Sequence, residues 1–216
     1  MKKAYGKISN PLLDIQSTYG PGWILHKKKE IEDFPLLSMR VFPEKNHCSL
    51  TSLTQILSYY RKFSFFRLPT STLPLFQIVR DKAKKNFYYF PFLGTFPFVL
   101  PSLARMVWAS FSYRGRMRNR YFFWNRQRLE KIICEEIDHQ RPIMLSFSSG
   151  SYRRHTITVF GYLIFLDPDK RCRMYIKVDD HWSSQARYID LSALTLLDRM
   201  IMALTQFQPY ENKEVL

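Results

Sequence analysis

The sequence predicts an α+β fold with a helical first half and an antiparallel β second half. Apolar residues recur at helical spacing in several segments before residue 140. After Arg141 and Pro142 the segments are rich in β-branched and aromatic residues, which is typical of strands. The turn DPDK at residues 167–170 separates two of these segments, as a β-hairpin requires.

Four helices are predicted in the first two thirds of the chain. The apolar pattern from residue 49 to residue 62 predicts an amphipathic helix that begins at about Cys48. Similar patterns predict helices around residues 75–85, 100–111 and 125–139. The first of the four places a cysteine at a helix start.

Four strands are predicted next, at residues 143–149 (IMLSFSS), 155–166 (HTITVFGYLIFL), 171–180 (RCRMYIKVDD) and 187–191 (RYIDL). No internal repeat, low-complexity tract or linker divides the chain. We therefore predict one domain over residues 1–216, in which the first 40 residues form an N-terminal extension of unassigned role.

The composition limits the classes of function. A chain of 216 residues with 46% hydrophobic residues can bury one substantial core. Its 33 Lys and Arg against 18 Asp and Glu give a formal net charge of +15, which makes acidic peptides, nucleic acid and anionic membrane surfaces plausible partners. Three scattered cysteines do not form a disulfide framework and fit reduced thiols.

Targeting signals are not evident in the sequence. Two N-terminal lysines are followed by no apolar run, so a secretion signal is not predicted. The apolar stretch at residues 87–108 is interrupted by prolines and a glycine, so no membrane span is predicted. We expect a cytoplasmic protein.

Cys48 is the first candidate for chemistry. The first turn of a helix offers unpaired N–H groups and the positive end of the helix dipole, which stabilise a thiolate. A cysteine beside a helix is also commonly a small packing residue. On its position alone, both interpretations of Cys48 stay open.

Two polar residues on apolar strand faces need partners. Alternation puts His155 on the face of Ile157 and Val159, where an imidazole is costly unless it is hydrogen-bonded. Alternation also puts Asp180 at the end of the apolar face of the next strand. A nucleophile, a base and an orienting group are the set that acyl transfer needs.

These segments resemble a known superfamily. HTITVFGY at residues 155–162 resembles the histidine strand of papain-like cysteine peptidases, and residues 180–182 resemble their Asn/Asp-x-Trp segment. NHCSLTSLTQILSYY at residues 46–60 resembles the active-site helix of the branch related to bacteriocin-processing, double-glycine-leader peptidases. The order Cys, His, Asp also matches. The resemblance implies a papain-like fold, with the cysteine helix packed on an antiparallel sheet or half-barrel.

The resemblance also implies roles for individual residues. Cys48 would be the nucleophile, His155 the general base and then acid, Asp180 the group that orients the imidazole, and Trp182 a shield of the His and Asp pair from water. The family usually has a Gln about six residues before the cysteine as an oxyanion donor, where this chain has Phe42.

Two further features of the site depart from the family or remain hypotheses. The residue after the cysteine, commonly Gly, is Ser49. The N–H of Cys48 is available as one oxyanion donor, and Asn46 is our hypothesis for the second. Arg153 and Arg154, directly before His155, are candidates for attracting an acidic peptide.

No cofactor is predicted. The sequence has no CxxC pair and no HExxH motif, so a metal site is not expected. Residues 112–128 interleave arginines with aromatics, which suits either nucleic-acid binding or a solvated basic face.

The sequence therefore predicts a thiol hydrolase, a bacterial cytosolic endopeptidase or leader-processing enzyme acting on a peptide or protein. An inactive relative that binds an acidic peptide or nucleic acid, and an acyltransferase with the same triad, remain alternatives.

Overall fold

The computed structural model describes residues 6–62 and 66–211. The elements in chain order are α1 (Pro11–Tyr19), β1 (Ile24–Glu30), α2 (Cys48–Arg61), α3 (Thr72–Lys85), α4 (Leu100–Ala109), β2 (Tyr113–Arg120), α5 (Arg126–Asp138), β3 (Ile143–Phe147), β4 (His155–Leu166), β5 (Cys172–Asp179), β6 (Arg187–Asp190), α6 (Leu196–Met200) and β7 (Ala203–Glu211).

The predicted α+β class is confirmed. The four predicted helices correspond to α2 to α5, and the four predicted strands to β3 to β6. The turn between β4 and β5 closes as expected, because the N–H of Lys170 donates to the carbonyl of Asp167 at 2.9 Å. Five elements were not anticipated from the sequence, namely α1, β1, β2, α6 and β7.

All seven strands join one open antiparallel sheet. Its order is β2-β7-β3-β4-β5-β6. The long strand β4 pairs with β3 along its first half and with β1 along its second half. β5 pairs along the other side of β4, with a register shift between Val159 and Gly161. β4 is therefore the central strand, and His155 is its first residue.

Helix α2 lies in the middle of the main core. Its apolar side chains, including Leu53 and Ile56, are fully buried against α3, α4 and the sheet. Its hydroxyl residues are also buried, which differs from the amphipathic helix predicted from the sequence. Burial of a hydroxyl is tolerated where it finds a hydrogen-bond partner, and Thr54 donates to the carbonyl of Leu50 at 2.8 Å.

The N-terminal segment belongs to the sheet. β1 extends it beside β4, and an isolated bridge joins Ile8 to Tyr188 next to β6. A second, smaller core lies between this segment and the outer face of β4 and β5; its buried members are Ile15, Trp23, Leu163, Phe165 and Tyr175. Residues 6–30 thus supply packing and pairing to the sheet, a role that their sequence pattern did not reveal.

Candidate active site

The start of α2 is fixed against the start of β4. The hydroxyls of Ser49 and Thr156 are 2.8 Å apart, and that of Thr156 is 2.9 Å from the hydroxyl of Ser146 on β3. Ser49, which replaces the usual glycine, therefore connects the cysteine helix to the histidine strand. Since Cys48 and His155 directly precede Ser49 and Thr156, these contacts bring the two predicted catalytic residues together.

The Cys48 thiol is activated by its surroundings. Burial by itself raises the pKa of this thiol, but a hydrogen bond with His155 and the charge of that imidazole lower it. The backbone N–H groups of Thr156 and Ser49 lower it further, and the net pKa lies below the ordinary value. The residue as a whole is partly exposed.

The other two thiols have the opposite tendency. Burial raises the pKa of Cys134 to about 11. Burial also raises the pKa of Cys172, although the residue as a whole is exposed. Among the three cysteines, only Cys48 has a lowered pKa, which favours the thiolate.

The ring of His155 has a defined orientation. It is 6% exposed, and its Nε2 lies 2.7 Å from the backbone carbonyl oxygen of Asp180. A carbonyl can only accept, so Nε2 carries the proton, and Nδ1 is left as the nitrogen that faces the Cys48 thiol. The imidazole is thus held in the tautomer that a general base requires.

The contact with Asp180 differs from the predicted one. The carboxylate was expected to bind the imidazole, but Oδ1 accepts the N–H of Trp182 at 3.0 Å. Oδ2 lies 3.5 Å from the hydroxyl of Tyr152. The physical reason is that the chain turns directly after β5, so the carbonyl of Asp180 points to the histidine and its side chain folds back on the turn.

Trp182 covers the imidazole, as the resemblance implied. Its ring stacks on that of His155 with centroids 4.3 Å apart and an interplanar angle of 24°. Tyr152 stacks on Trp182 at 5.2 Å, and the ammonium of Lys7 lies 4.4 Å from the centre of the indole ring. Stacked rings exclude water from one face of the imidazole and restrict its rotation.

The position expected for a glutamine donor is apolar in structure as well as in sequence. Phe42 is buried and stacks on Phe76 with centroids 3.7 Å apart. The side-chain amide of Asn46, the hypothetical second donor, instead donates to the carbonyl of Pro91 at 2.8 Å. Cys48 is the first residue of α2, so its own N–H lacks an intrahelical acceptor and remains the available donor.

The loop before Cys48 is held by residues 89–94. The hydroxyl of Tyr89 donates to the carbonyl of Lys45 at 2.5 Å. Gly94 has a φ of 82°, and a Cβ there would lie 2.9 Å from the carbonyl oxygen of Asn46. Burial, assisted by the neighbouring charges of Glu44 and Cys48, raises the pKa of Tyr89 to about 12. The phenol therefore stays protonated and keeps donating.

Sequence reasoning missed a second buried polar group beside the site. His181 is fully buried, with Nε2 2.7 Å from the hydroxyl of Ser52 and Nδ1 2.8 Å from the carbonyl of Leu37. Asp179 accepts from the side-chain amide of Gln55 at 2.6 Å and from the N–H of Leu37 at 2.7 Å. His47 is buried too. These groups attach α2 to the turn after β5.

The family model for the Peptidase_C39 like family matches residues 31–194. The chain belongs to this family. The match covers the cysteine helix, the histidine strand and the turn after β5, and leaves α1, β1, α6 and β7 outside it. The protein is thus a cysteine peptidase at the level of its family.

Solved structures share the fold of this Peptidase_C39-like chain at low identity. UfSP from C. elegans matches with a TM-score of 0.50 and 10% identity, over 89% of this chain and 36% of that one. SERA5E from Plasmodium falciparum matches with a TM-score of 0.49 and 12% identity, over 84% of this chain and 92% of that one. None of the curated proteins matches the sequence at a significant level.

The arginines singled out in this Peptidase_C39-like chain fall into two groups. Arg153 and Arg154 are exposed directly before His155, as expected for a role at the cleft. Residues 112–128 contain the edge strand β2, where Arg118 and Arg120 both donate to Oε1 of Gln206, at 2.9 and 2.7 Å. Part of the basic segment is therefore committed to structure.

The described part of the chain contains neither a membrane-spanning helix nor a cluster of metal-binding side chains. No helix within residues 6–62 and 66–211 is long and apolar enough to cross a membrane. In the same residues, no three His, Cys, Asp or Glu side chains are grouped so that they could hold a metal ion.

Proposed function

We propose that the protein cleaves peptide bonds through an acyl-enzyme on Cys48, with His155 as general base and acid and Asp180 as its orienting residue. The observation that carries the proposal is the contact of the Cys48 thiol with His155, which lowers the pKa of the thiol. The contact of His155 Nε2 with the Asp180 carbonyl supports the tautomer that this role needs.

The first half of the reaction forms a thioester. His155 takes the proton of Cys48, and the thiolate attacks the carbonyl carbon of the peptide bond. The carbonyl oxygen becomes an oxyanion, which the N–H of Cys48 at the start of α2 stabilises. The C–N bond then breaks, and the imidazolium gives its proton to the leaving amine.

The second half regenerates the pair of Cys48 thiolate and His155 imidazolium. His155 accepts a proton from water, and the resulting hydroxide attacks the thioester carbonyl. The C–S bond breaks, the new carboxylic acid leaves, and Cys48 is again paired with the imidazolium. Trp182 supports both halves, because a ring 4.3 Å from the imidazole excludes solvent from one of its faces.

An acidic peptide segment fits the charge around the cleft. Arg153 and Arg154 are exposed beside His155 and have no ion-pair partner among the residues that the structure describes. The chain as a whole carries a formal net charge of +15, which attracts acidic segments over several ångströms. We propose that these two arginines bind acidic residues of the substrate.

One observation favours the alternative of an inactive binding protein. Phe42 is buried and the side-chain amide of Asn46 is bonded to Pro91, so neither side chain is placed as an oxyanion donor. Loss of one such donor typically costs on the order of 100-fold or more in rate. Transfer of the acyl group to an amine uses the same residues and differs only in the nucleophile of the second half.

Cleavage of a peptide pool tests the proposal. The protein is incubated with peptides from a digested proteome, and new termini are identified by mass spectrometry for wild type, Cys48→Ala and Cys172→Ala. We expect new termini with wild type and the Cys172→Ala control but none with Cys48→Ala. Termini that persist in Cys48→Ala would assign the cleavage to a contaminant, and their absence from all three would favour the binding alternative.

A further inference from the structure

The end of the strands at which His155 lies also carries a set of loops. Phe147 at the end of β3 pairs with His155 at the start of β4. Ser146 pairs with Ala203 at the start of β7, and Leu204 pairs with Arg120 at the end of β2. The connections at residues 121–125 and 148–154, and the end of the connection 191–202 that enters β7, therefore lie at the same end of the strands as His155.

These connections and the nearby loop expose large apolar side chains. Phe92 is 75% exposed, Phe98 68% and Trp124 65%. We call the full set the aromatic rim; its members are Phe92, Leu93, Phe96, Phe98, Phe122, Trp124, Leu196, Leu197 and Ile201. Soluble proteins rarely expose so many large apolar side chains in neighbouring segments unless the surface binds something.

Hydrogen bonds fix the segments of the aromatic rim to one another. The side-chain amide of Asn119 donates to the carbonyl of Pro97 and to the hydroxyl of Tyr121, both at 2.7 Å. The N–H of Phe123 donates to the carbonyl of Arg199 at 3.2 Å. The bond from Asn46 to Pro91 joins the first part of the rim to the loop before Cys48. The rim is thus a preformed surface beside the nucleophile.

Positive charge accompanies the aromatic rim. Lys45 lies in the loop before Cys48. Arg128 lies in the first turn of α5, four residues after Trp124. Both are exposed and have no ion-pair partner among residues 6–62 and 66–211. The formal net charge of +15 adds a favourable long-range attraction to any anionic surface.

We propose that the aromatic rim docks this edge of the protein on anionic phospholipid membranes. Phe and Trp side chains insert at the level of the headgroups, and lysine and arginine beside them bind anionic lipids. A membrane fits better than a peptide partner because the apolar side chains belong to three separate segments that lie at one end of the strands. Docking turns the active-site edge towards the lipid, and it does not depend on catalysis.

Vesicle cosedimentation of the full chain tests the proposal. The probes are vesicles of phosphatidylcholine alone and of phosphatidylcholine mixed with phosphatidylglycerol. We expect binding to the mixed vesicles that weakens as salt is added, and little binding to the neutral ones. The double variant Phe92→Ser/Phe98→Ser should lower the partition coefficient roughly tenfold or more, because it removes two exposed rings.

The matched control lies at the other end of the sheet. Ile24 is 66% exposed and pairs with Leu166, which is about 36 Å along β4 from His155 at 3.3 Å per residue. Ile24→Ser should bind as wild type does. Folding of every variant is checked by circular dichroism, and since all three positions are exposed, we expect unchanged spectra.

Three results would overturn the proposal. The first is no binding to either type of vesicle. The second is an equal loss of binding in Ile24→Ser and in the double variant. The third is a soluble oligomer, detected by light scattering, that Phe92→Ser/Phe98→Ser dissociates, because the rim would then be an interface between copies of this chain.

Discussion

At the scale of single residues, the site rests on one thiol, one imidazole and one backbone carbonyl. The lowered pKa of Cys48 comes from His155 and from N–H groups at the start of α2, which outweigh the opposing effect of burial. The imidazole is in turn held by the carbonyl of Asp180 at 2.7 Å. The carboxylate of Asp180 acts on the imidazole only indirectly, because it accepts the N–H of Trp182, whose ring covers His155.

This arrangement predicts that the charge of Asp180 is dispensable. In Asp180→Asn, the side-chain oxygen still accepts the N–H of Trp182, and the backbone contact with His155 is unaffected. We expect kcat/KM on a cleaved peptide to change by less than about threefold. Where a carboxylate itself holds a catalytic histidine, the same substitution lowers kcat by about 10⁴-fold.

The control for this experiment is Asp180→Ala, which removes the acceptor for Trp182 and loosens the ring over His155. We expect it to lower kcat/KM by roughly tenfold, in line with loss of one supporting hydrogen bond at a catalytic site. A loss in Asp180→Asn as large as that in His155→Ala would show that the carboxylate is the orienting group.

At the scale of elements, the buried polar group around Asp179 holds α2 to the turn after β5. Asp179 is fully buried and accepts hydrogen bonds from Gln55, Leu37 and the N–H of His181. Burial raises the pKa of the Asp179 carboxyl, but the hydrogen bond and charge of His181 and the N–H of Leu37 outweigh it, so the pKa is lowered.

Substitution of Asp179 should therefore destabilise the fold. Asp179→Asn removes a buried charge whose partners stay in place, and such losses cost about 3 kcal/mol. We expect this decrease in the free energy of unfolding, measured with urea. The control Asp169→Asn, in an exposed ion pair with Arg171, should change it by less than about 0.5 kcal/mol. Equal effects of the two substitutions would contradict the assigned role.

The same carboxyl gives a pH dependence of stability. Its pKa is lower in the folded state, so the unfolded state binds the proton more tightly. Its contribution is complete above the ordinary aspartate pKa of about 3.9 and is lost as the pH falls towards the folded-state value. The difference in unfolding free energy between wild type and Asp179→Asn should accordingly shrink below about pH 4.

Sequence patterns predicted the helices and strands that bury a regular apolar stripe. They did not predict the elements whose packing partners are distant in the chain. The helical period of α2 to α5 and the branched residues of β3 to β6 were sufficient. β2 was not predicted as a strand because arginines occupy one of its faces. The pattern of Arg114, Arg116 and Arg118 indicated a binding segment instead. A long charged side chain on an edge strand is ordinary, yet it removes the apolar alternation on which strand prediction depends.

The candidate site, too, could be predicted from the sequence only in part. Cys48, His155 and Trp182 are brought together as the sequence predicted. The contact of Asp180 was misassigned because a backbone carbonyl has no sequence signature, and alternation reports only where a side chain points. The burial of His181 was not predicted because its partners, Ser52 and Leu37, are more than 100 residues away in the chain.

At the scale of the whole molecule, the N-terminal segment is part of the folded unit. Trp23 is buried in the second core with Phe165 and Tyr175. Trp23→Ala should lower the free energy of unfolding by about 3 kcal/mol in a single cooperative transition. The control Leu13→Ala, at an exposed position of α1, should change it by less than about 0.5 kcal/mol. An unchanged transition in Trp23→Ala would mean that the segment only lies on the surface.

Charge acts over the same scale. Arg153→Gln/Arg154→Gln should raise the KM for an acidic peptide several-fold and leave kcat unchanged, because the arginines attract the substrate without taking part in bond breaking. Added salt should erase the difference from wild type. The control Lys170→Gln changes an exposed charge in the turn between β4 and β5. An equal rise in KM in this control would mean that only net charge matters.

The central claim is that His155 lowers the pKa of the Cys48 thiol. Its most direct test is the rate of alkylation by iodoacetamide at each cysteine against pH, followed by mass spectrometry. We expect the rate at Cys48 to titrate with a midpoint below the free-cysteine value of about 8.5 and to exceed the rates at Cys134 and Cys172 at pH 7. In His155→Ala that midpoint should rise. A Cys48 that reacts at pH 7 no faster than the exposed Cys172, or whose midpoint is unchanged in His155→Ala, would contradict the account.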